Sequence, residues 1–419
     1  MIRRLQLLLL GAVVVVAAFS TGLAFLFYLV YLGLLVVGGS YVLTRLGLSD
    51  LEAGYAVSQL SGHVGDRLRV TYTLRNTSRV PKPWLEVHNP TSLPSGLPGR
   101  ALALGSRTER SWLVRTPLTR RGHFRVEPLQ IRTGDPFGFF ESAATVGNGV
   151  TVVVYPRVEA LPQWRLPAAN LDGSHAMRER TLQTTPLVST VRPWAPGDAF
   201  NRIHWKSTAR HGEIQVKEFD LEQTADAWIV LDLERSIQAG TGDESTVEAS
   251  IRVAASVADK AIQENRAVGI TIAGHRIAQL QPDRGGRQHL KIMQLLAAVD
   301  GDGTMPLTET LIHAVPRIRR GMTAVVITPS LGRTWVKPLS TLRARGVACV
   351  VVSFDVGAYA RYAQDLELRR RARPAVAEDP EEAAARSQRM RALRHALAEF
   401  DITTHVVAPA RPLGELLAG

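Results

Sequence analysis

The sequence predicts a multi-domain chain: an N-terminal two-helix transmembrane hairpin, an all-β immunoglobulin-like sandwich, and an α/β domain built on a parallel sheet. Three observations carry this prediction. No charged residue lies between Leu5 and Thr44. Short segments that alternate apolar and polar residues fill the stretch from about 50 to 156, as half-buried strands do. From Ala225 onward, apolar strands alternate with amphipathic helices, the pattern of a sheet covered by helices on both faces. A chain of 419 residues suits two or three domains. The boundaries fall at 1–45, 50–156, 157–224 (a linker with a strongly charged segment) and 225–419.

As one helix, the uncharged run would measure about 60 Å, twice the roughly 30 Å of bilayer hydrocarbon. Two helices fit better, near Leu5–Phe19 and Leu23–Leu43, with a break at Ser20-Thr21-Gly22. Arg3 and Arg4 before the first and Arg45 after the second place both ends in the cytoplasm by the positive-inside rule. The expectation is a multi-pass protein of the cell (inner or plasma) membrane with cytoplasmic soluble domains and the lipid bilayer as a partner. The competing readings are a signal peptide cleaved near Ala18-Phe19-Ser20, and one span with the bulk outside. The apolar run resumes at once after Ser20, which argues against a freely secreted product. The formal charge of +12 suits an acidic partner or an anionic membrane surface. Nucleic acid is not an expected partner, since no recognised binding motif accompanies the charge.

In the β region, Leu68–Leu74, Trp84–His88, Ser111–Arg115, Phe124–Val126 and Val150–Tyr155 read as strands, with turns at Asn76–Ser78, Pro94–Gly96 and Gly147–Gly149. Short strands at this spacing suggest the immunoglobulin-like sandwich. In the α/β half the strands are Ala227–Asp232, Ala267–Ala273, Thr323–Thr328, Val347–Ser353 and Thr403–Val407. Helices are expected over Val247–Asn265, His289–Val299 and Pro380–Phe400. Arg369-Arg370-Arg371 and Arg373, followed by Glu378, Asp379, Glu381 and Glu382, read as a solvated, charge-segregated loop. Cys349, the single cysteine, reads as a small core residue of a buried strand and permits no intrachain disulfide. Asp300-Gly-Asp302-Gly-Thr304 reads as a turn, because the remaining ligands of a calcium loop are missing.

The most informative segment runs from Arg192 to Glu218. Pro196-Gly197 marks a turn, and Asp198 is placed to cap a helix over about Ala199–Arg210 that stops at His211-Gly212. On that helix Asp198, Arg202, Lys206 and Arg210 recur every four residues as one stripe. Phe200 and Ile203 fall on the other side, where they anchor the helix to a core, and Trp205 flanks the stripe. Arg192, Gly197, Asp198, Arg202, Trp205, Lys206 and Arg210 are therefore the candidate partner-binding surface. The alternative is a salt-bridged hairpin that needs the same residues for structure. His204 reads as a packed or hydrogen-bonded histidine, since no nucleophile stands at a recognisable spacing from it.

This segment resembles the signature of the bacterial family called domain of unknown function 58, roughly R-x-Y-x-x-G-D-x-x-R-x-I-x-W-x-x-x-A-R. Arg192, Gly197, Asp198, Arg202, Ile203, Trp205, Ala209 and Arg210 match it; Trp194 stands where Tyr is usual and His204 where Asp is common. Arg121-Gly-His-Phe124, Gly134-Asp-Pro-Phe-Gly-Phe-Phe140 and Val154-Tyr-Pro156 resemble further elements of the family. The resemblance implies a von Willebrand factor A-like (Rossmann-like) fold for the α/β half. It also implies an association with MoxR-type AAA+ ATPases and transglutaminase-like membrane proteins. Asp232, Glu234 and Ser236 stand where the metal motif of that fold reads Asp-x-Ser-x-Ser, a degenerate match that implies Mg²⁺ as a possible ligand. No acidic residue occurs in Val325–Ser330, where the motif usually offers one.

The chain carries no phosphate-cradling Walker A loop, GxSxG or HExxH, and no catalytic residue is assigned. The expectation is a membrane-anchored, non-enzymatic scaffold or adaptor working with a MoxR-type ATPase in chaperone-like assembly or an envelope or stress function. A Mg²⁺-dependent binding module and a hydrolase using Asp198 and His204 stand as alternatives.

Overall fold

The apolar run folds as α1 (Ile2–Thr21) and α2 (Ala24–Gly47), separated at Gly22, which takes a left-handed φ of +69°. The molecule is a computed structural model that describes residues 2–167, 188–196, 198, 200, 203–219, 226–370 and 380–417. Phe19 and Phe27 meet edge to face across the break, with ring centroids 5.4 Å apart. Among the described residues, α2 alone is both long and apolar enough to cross a membrane; the apolar part of α1, Leu9–Thr21, is shorter. Very little of α2 is buried, so it is not the core helix of a globular unit.

The chain then forms β1 (Leu51–Val57), β2 (Ser61–His63), β3 (Arg67–Asn76), β4 (Lys82–His88), β5 (Arg100–Leu104), β6 (Glu109–Pro117), β7 (Gly122–Val126), β8 (Leu129–Gly134), β9 (Glu141–Val146) and β10 (Val150–Tyr155). They pair as three sheets, in the orders β1-β3-β6, β2-β10-β7 and β5-β4-β8-β9. The period-two pattern explains the packing of β3. Leu68, Val70, Tyr72 and Leu74 all point into one core with Leu85, Leu129, Ile131, Val152 and Val154, while the intervening residues stay outside or at the edge. These strands and both helices belong to one compact unit, residues 1–157 with Met293–Val299.

The other unit comprises Val158–Ile292 and Asp300–Gly419. It opens, among the described elements, with β11 (Val188–Pro193), α3 (Trp205–His211) and β12 (Gln215–Phe219). There follow β13 (Ala227–Asp232), α4 (Thr246–Gln263), β14 (Val268–Ala273), β15 (Ile277–Asp283), α5 (Gly285–Ala298), α6 (Leu307–Ala314), β16 (Thr323–Thr328), α7 (Val336–Ala344), β17 (Ala348–Phe354), α8 (Val356–Arg370), α9 (Pro380–Ala398), β18 (Thr403–Val407) and α10 (Leu413–Leu416). The main sheet has the order β15-β14-β13-β16-β17-β18, parallel throughout except for the antiparallel edge strand β15. β13, β14, β16 and β17 are buried along their whole length, which is why they read as unbroken apolar runs. Ser245 caps α4, its hydroxyl accepting the Glu248 N–H at 3.2 Å. The chain leaves β13 toward β14 on one side and returns to β16 on the other, so the crevice at Asp232 and Thr328 is a topological switch point.

Two expectations change here. The basic run expected to be a loop begins inside a helix, since Arg369 and Arg370 end α8; Arg371, Arg373, Glu378 and Asp379 lie outside the described residues. β15, α6 and α7 were not legible: Pro282 interrupts the strand pattern of β15, and α6 and α7 are only about two turns long.

Cys349 sits in β17 with burial pushing its thiol up to about 12. The thiolate is the reactive form. A maleimide at neutral pH is therefore expected to leave the folded chain unlabelled and to modify it only in denaturant; rapid labelling without denaturant would place the thiol outside the sheet.

Candidate functional site: the signature hairpin and the sheet switch point

The signature segment folds as a small hairpin with a helix in its connection. β11 and β12 pair antiparallel, with Arg192 opposite Val216 and Pro193 opposite Gln215. The Trp194 N–H donates to the Ile214 carbonyl at 2.8 Å, and the His204 N–H to the Gln215 carbonyl at 2.7 Å. Ile203 bridges Val216, and both are buried. α3 ends at Gly212, whose φ of +73° and N–H bond to the Thr208 carbonyl at 3.0 Å close its last turn.

Asp198 does not cap this helix. Its carboxylate takes a forked pair of bonds from the Arg192 guanidinium, at 2.7 and 2.8 Å, and the Ala195 N–H at 2.9 Å. The helix starts later than the spacing predicted, at Trp205, after His204, which supplies no side-chain cap. Asp198 therefore pins the turn that precedes α3, and the four-residue stripe reduces on α3 to Lys206 and Arg210. Gly197 and Arg202 lie outside the described residues. Of the two expected core anchors only Ile203 is buried; Phe200 is 75% exposed.

No residue of α3 is buried, and Trp205 is 68% exposed. Val191, Trp194, Phe200 and Ile214 are also exposed, and Lys206, Arg210 and His211 face solvent. Sequence reasoning named Trp205 but missed Val191 and Ile214; β-branched residues flanking a turn were the available signal. His204 Nδ1 lies 2.6 Å from the Ser207 hydroxyl, three residues on. The carboxylate of Asp198, the other residue of the hydrolase alternative, is engaged by Arg192 and the Ala195 N–H.

The second candidate lies at the carboxyl end of β13. Asp232 is fully buried; its Oδ2 accepts the Thr328 hydroxyl at 2.6 Å and its Oδ1 the Glu234 N–H at 3.2 Å. Burial pushes its carboxyl up to about 6, against the pull of those two donors. Glu234 Oε1 accepts the Ser236 hydroxyl at 2.5 Å. The three expected metal-ligating residues are thus neighbours, but their oxygens serve Thr328, the backbone and one another. Among the described residues no group of three or more His, Cys, Asp or Glu side chains converges on one point. This arrangement does not fit an octahedral Mg²⁺ site without rearrangement. Sequence reasoning missed Thr328, which a parallel strand brings level with Asp232. It also missed Gly303, which bridges Glu234: its N–H donates to the Leu233 carbonyl at 3.1 Å and its carbonyl accepts the Arg235 N–H at 2.8 Å.

Comparison with known proteins matches residues 190–356 to a family model described as "Protein of unknown function DUF58". "Uncharacterized protein YeaD" of Bacillus subtilis is 26% identical over 313 residues, which cover 72% of this chain and 75% of that one. "Uncharacterized protein Rv1480" of Mycobacterium tuberculosis is 29% identical over 170 residues, 39% of this chain and 53% of its own length, so the chain spans about half of that relative. Among solved structures, proximal thread matrix protein 1 from the mussel byssus aligns over 31% of this chain and 38% of its own, at 14% identity and a TM-score of 0.25. The CARDB domain of PF1109 from Pyrococcus furiosus aligns over 25% of this chain and 92% of its own, at 15% identity and a TM-score of 0.19. Neither score is high enough to support an argument about fold. The matched segment holds the hairpin, Asp232 and the sheet as far as β17, so over residues 190–356 this chain is similar to the family described as protein of unknown function DUF58.

Proposed function

We propose that the chain is a membrane-anchored, non-enzymatic adaptor whose signature hairpin docks a partner protein. In this reading α1 and α2 form a transmembrane hairpin and both soluble units are cytoplasmic. The β-rich unit is an immunoglobulin-like sandwich, and the α/β unit is von Willebrand factor A-like, a reading supported by its doubly wound strand order with an antiparallel edge. The observation that carries the docking proposal is the exposure of Trp205, Phe200 and Trp194 beside Lys206 and Arg210 on one small, internally hydrogen-bonded hairpin. Exposed tryptophan with cationic neighbours is the composition of an interface hot spot, and it favours an acidic partner face. A MoxR-type AAA+ ATPase is the proposed partner, with a transglutaminase-like membrane protein as a further member of the assembly. ATP chemistry would then reside in the ATPase.

The test is affinity purification of the full chain from detergent-solubilised native membranes, comparing wild type with Trp205→Ala/Lys206→Glu. Both substitutions are on exposed positions, so folding should be unchanged. An AAA+ ATPase that co-purifies with wild type and is lost, by tenfold or more on the scale of about 2 kcal/mol for a buried tryptophan anchor, supports the proposal. Identical partners with both chains would remove the hairpin from the docking surface and return the Arg192–Asp198 pair to a purely structural role.

A further inference from the structure

Within the unit that contains it, α2 ends against the strands rather than in a free linker. The buried Lys82 ammonium donates to the Leu46 carbonyl in the last turn of α2. Gly47 lies so close to Thr133 that a Cβ there would stand 2.6 Å from Thr133 Cγ2. Thr133 in turn donates to the Trp84 carbonyl at 2.7 Å. One and a half turns earlier, the ring of Tyr41 meets Phe140 edge-on, with centroids 5.6 Å apart.

Phe140 closes a tight loop built around one carboxylate. Asp135 Oδ2 accepts the Phe137 N–H at 2.9 Å, Oδ1 accepts the Phe140 N–H at 2.6 Å, and its carbonyl takes the Gly138 N–H at 3.1 Å. Burial alone would raise the Asp135 carboxyl, but the N–H groups of Phe140, Phe139 and Phe137 outweigh it and hold it below the ordinary range. The loop is thus pinned from inside, and its outward surface is Pro136-Phe137-Gly138-Phe139, with no charge. Phe137 is 62% exposed and stacks on Phe139, centroids 5.7 Å apart at 22°. Trp84, 40% exposed, lies beside the same loop, its Cζ3 3.3 Å from where a Gly134 Cβ would be.

The depth of this aromatic group follows from the helix it touches. The 24 residues of α2 span about 36 Å, some 6 Å more than a hydrocarbon core. Arg45 marks the polar end, so Tyr41, one turn inward, lies at the boundary where tryptophan, tyrosine and phenylalanine gather. We infer that the Asp135–Phe140 loop, with Trp84, is a lipid-inserting foot: Phe137 and Phe139 enter the headgroup–acyl boundary of the leaflet in which α2 ends. The inference rests on the proposed membrane crossing of α2. The occupant is a bilayer rather than a protein groove because the exposed aromatics continue the apolar surface of α2 through Tyr41 and Phe140.

The test uses the full chain in vesicles of phosphatidylcholine and phosphatidylglycerol. An environment-sensitive thiol dye is attached in turn to Leu35→Cys in α2, Pro136→Cys in the loop and Thr145→Cys at the far end of β9; the buried Cys349 stays unlabelled. Lipids carrying a nitroxide high on the acyl chain quench a dye at the boundary, and lipids carrying it near the chain end quench a dye at the bilayer centre; the first are read at 136 and 145 and the second at 35. The expected result is loss of fluorescence at 35 and 136 but not at 145, with the loss at 136 abolished by adding Phe137→Ser/Phe139→Ser. Quenching at 35 with none at 136 overturns the foot and leaves the membrane crossing standing. No quenching at 35 removes the crossing, and the foot with it. Equal quenching at 136 and 145 also overturns the foot, because contact would then not be confined to the loop.

Discussion

Asp232→Asn is expected to make the α/β unit more stable at pH 7, by on the order of 3 kcal/mol, and to erase a pH dependence that the wild-type chain shows in mild acid. The carboxyl is raised from 3.8 to about 6 by burial in a fully enclosed site. Below pH 4 the group is protonated in folded and unfolded chains alike, and its contribution to stability is complete. Between about 4 and 6 the unfolded chain ionises first, so stability falls as pH rises, and above 6 the loss is complete. An amide has no charge to desolvate. Its oxygen can accept the Glu234 N–H and its NH₂ can donate to the Thr328 oxygen, which already accepts the Ser330 N–H at 2.9 Å but keeps a second lone pair. Thr328→Val should act in the opposite direction, because it removes a donor to the charged form and leaves Asp232 buried with one partner fewer. The measurement is the denaturant midpoint at which Cys349, the one thiol of the chain, becomes reactive, read with an acid-active disulfide reagent from pH 4 to 7. A wild-type midpoint that is flat over this range would mean that Asp232 is not held in the environment described.

Gly303→Ala is expected to be severely destabilising for the same unit, by about 3 kcal/mol, although the residue lies in a loop of turn-like sequence. A methyl group at this position would lie 2.6 Å from the Ala273 carbonyl oxygen and 2.7 Å from that of Leu233. Both are backbone atoms at the ends of β14 and β13, so neither can swing aside as a side chain would. Relief requires breaking the paired bonds that tie Gly303 to Leu233 and Arg235, and these bonds also hold the loop that carries Glu234 and Ser236. Gly286→Ala, near the start of α5, is the control: nothing stands within 4 Å of its added methyl, so it should be neutral or slightly stabilising. Amide hydrogen exchange across β13 and β14 in the full chain reads both. Unchanged protection in Gly303→Ala would show that the loop is not clasped to the sheet.

The sequence made some elements legible and hid others for identifiable reasons. β13 and β16 were readable because their apolar runs are bounded, β13 ending at Asp232 and β16 at Thr328-Pro329. β3 was readable because one face is buried and the other is not. β8 and β9 were not: β8 alternates apolar and polar residues only over the short stretch Leu129–Thr133, and β9 is built mostly of small residues. At the hairpin, spacing selected Trp205, Lys206 and Arg210 without fixing their exposure, which the structure supplies, and it placed Asp198 as the cap of a helix that starts only at Trp205. A carboxylate before a helix normally caps it; here the Arg192 guanidinium, brought opposite by the β11–β12 register, competes for both oxygens and wins. The partnership of Asp232 with Thr328 spans 96 residues and exists only because two parallel strands are neighbours, so no local pattern could report it.

The clasp of Lys82 on the last turn of α2 has a mechanical consequence. Only Leu48, Ser49 and Asp50 separate that helix from β1, a span too short to act as a swivel when the same turn is also gripped through Gly47 and Thr133. In the proposed membrane-anchored arrangement, helix and sheets therefore move as one lever. A thinner bilayer that tilts α2 would rotate the strands through the same angle, so lipid composition would set the attitude of the β-rich unit toward whatever approaches it.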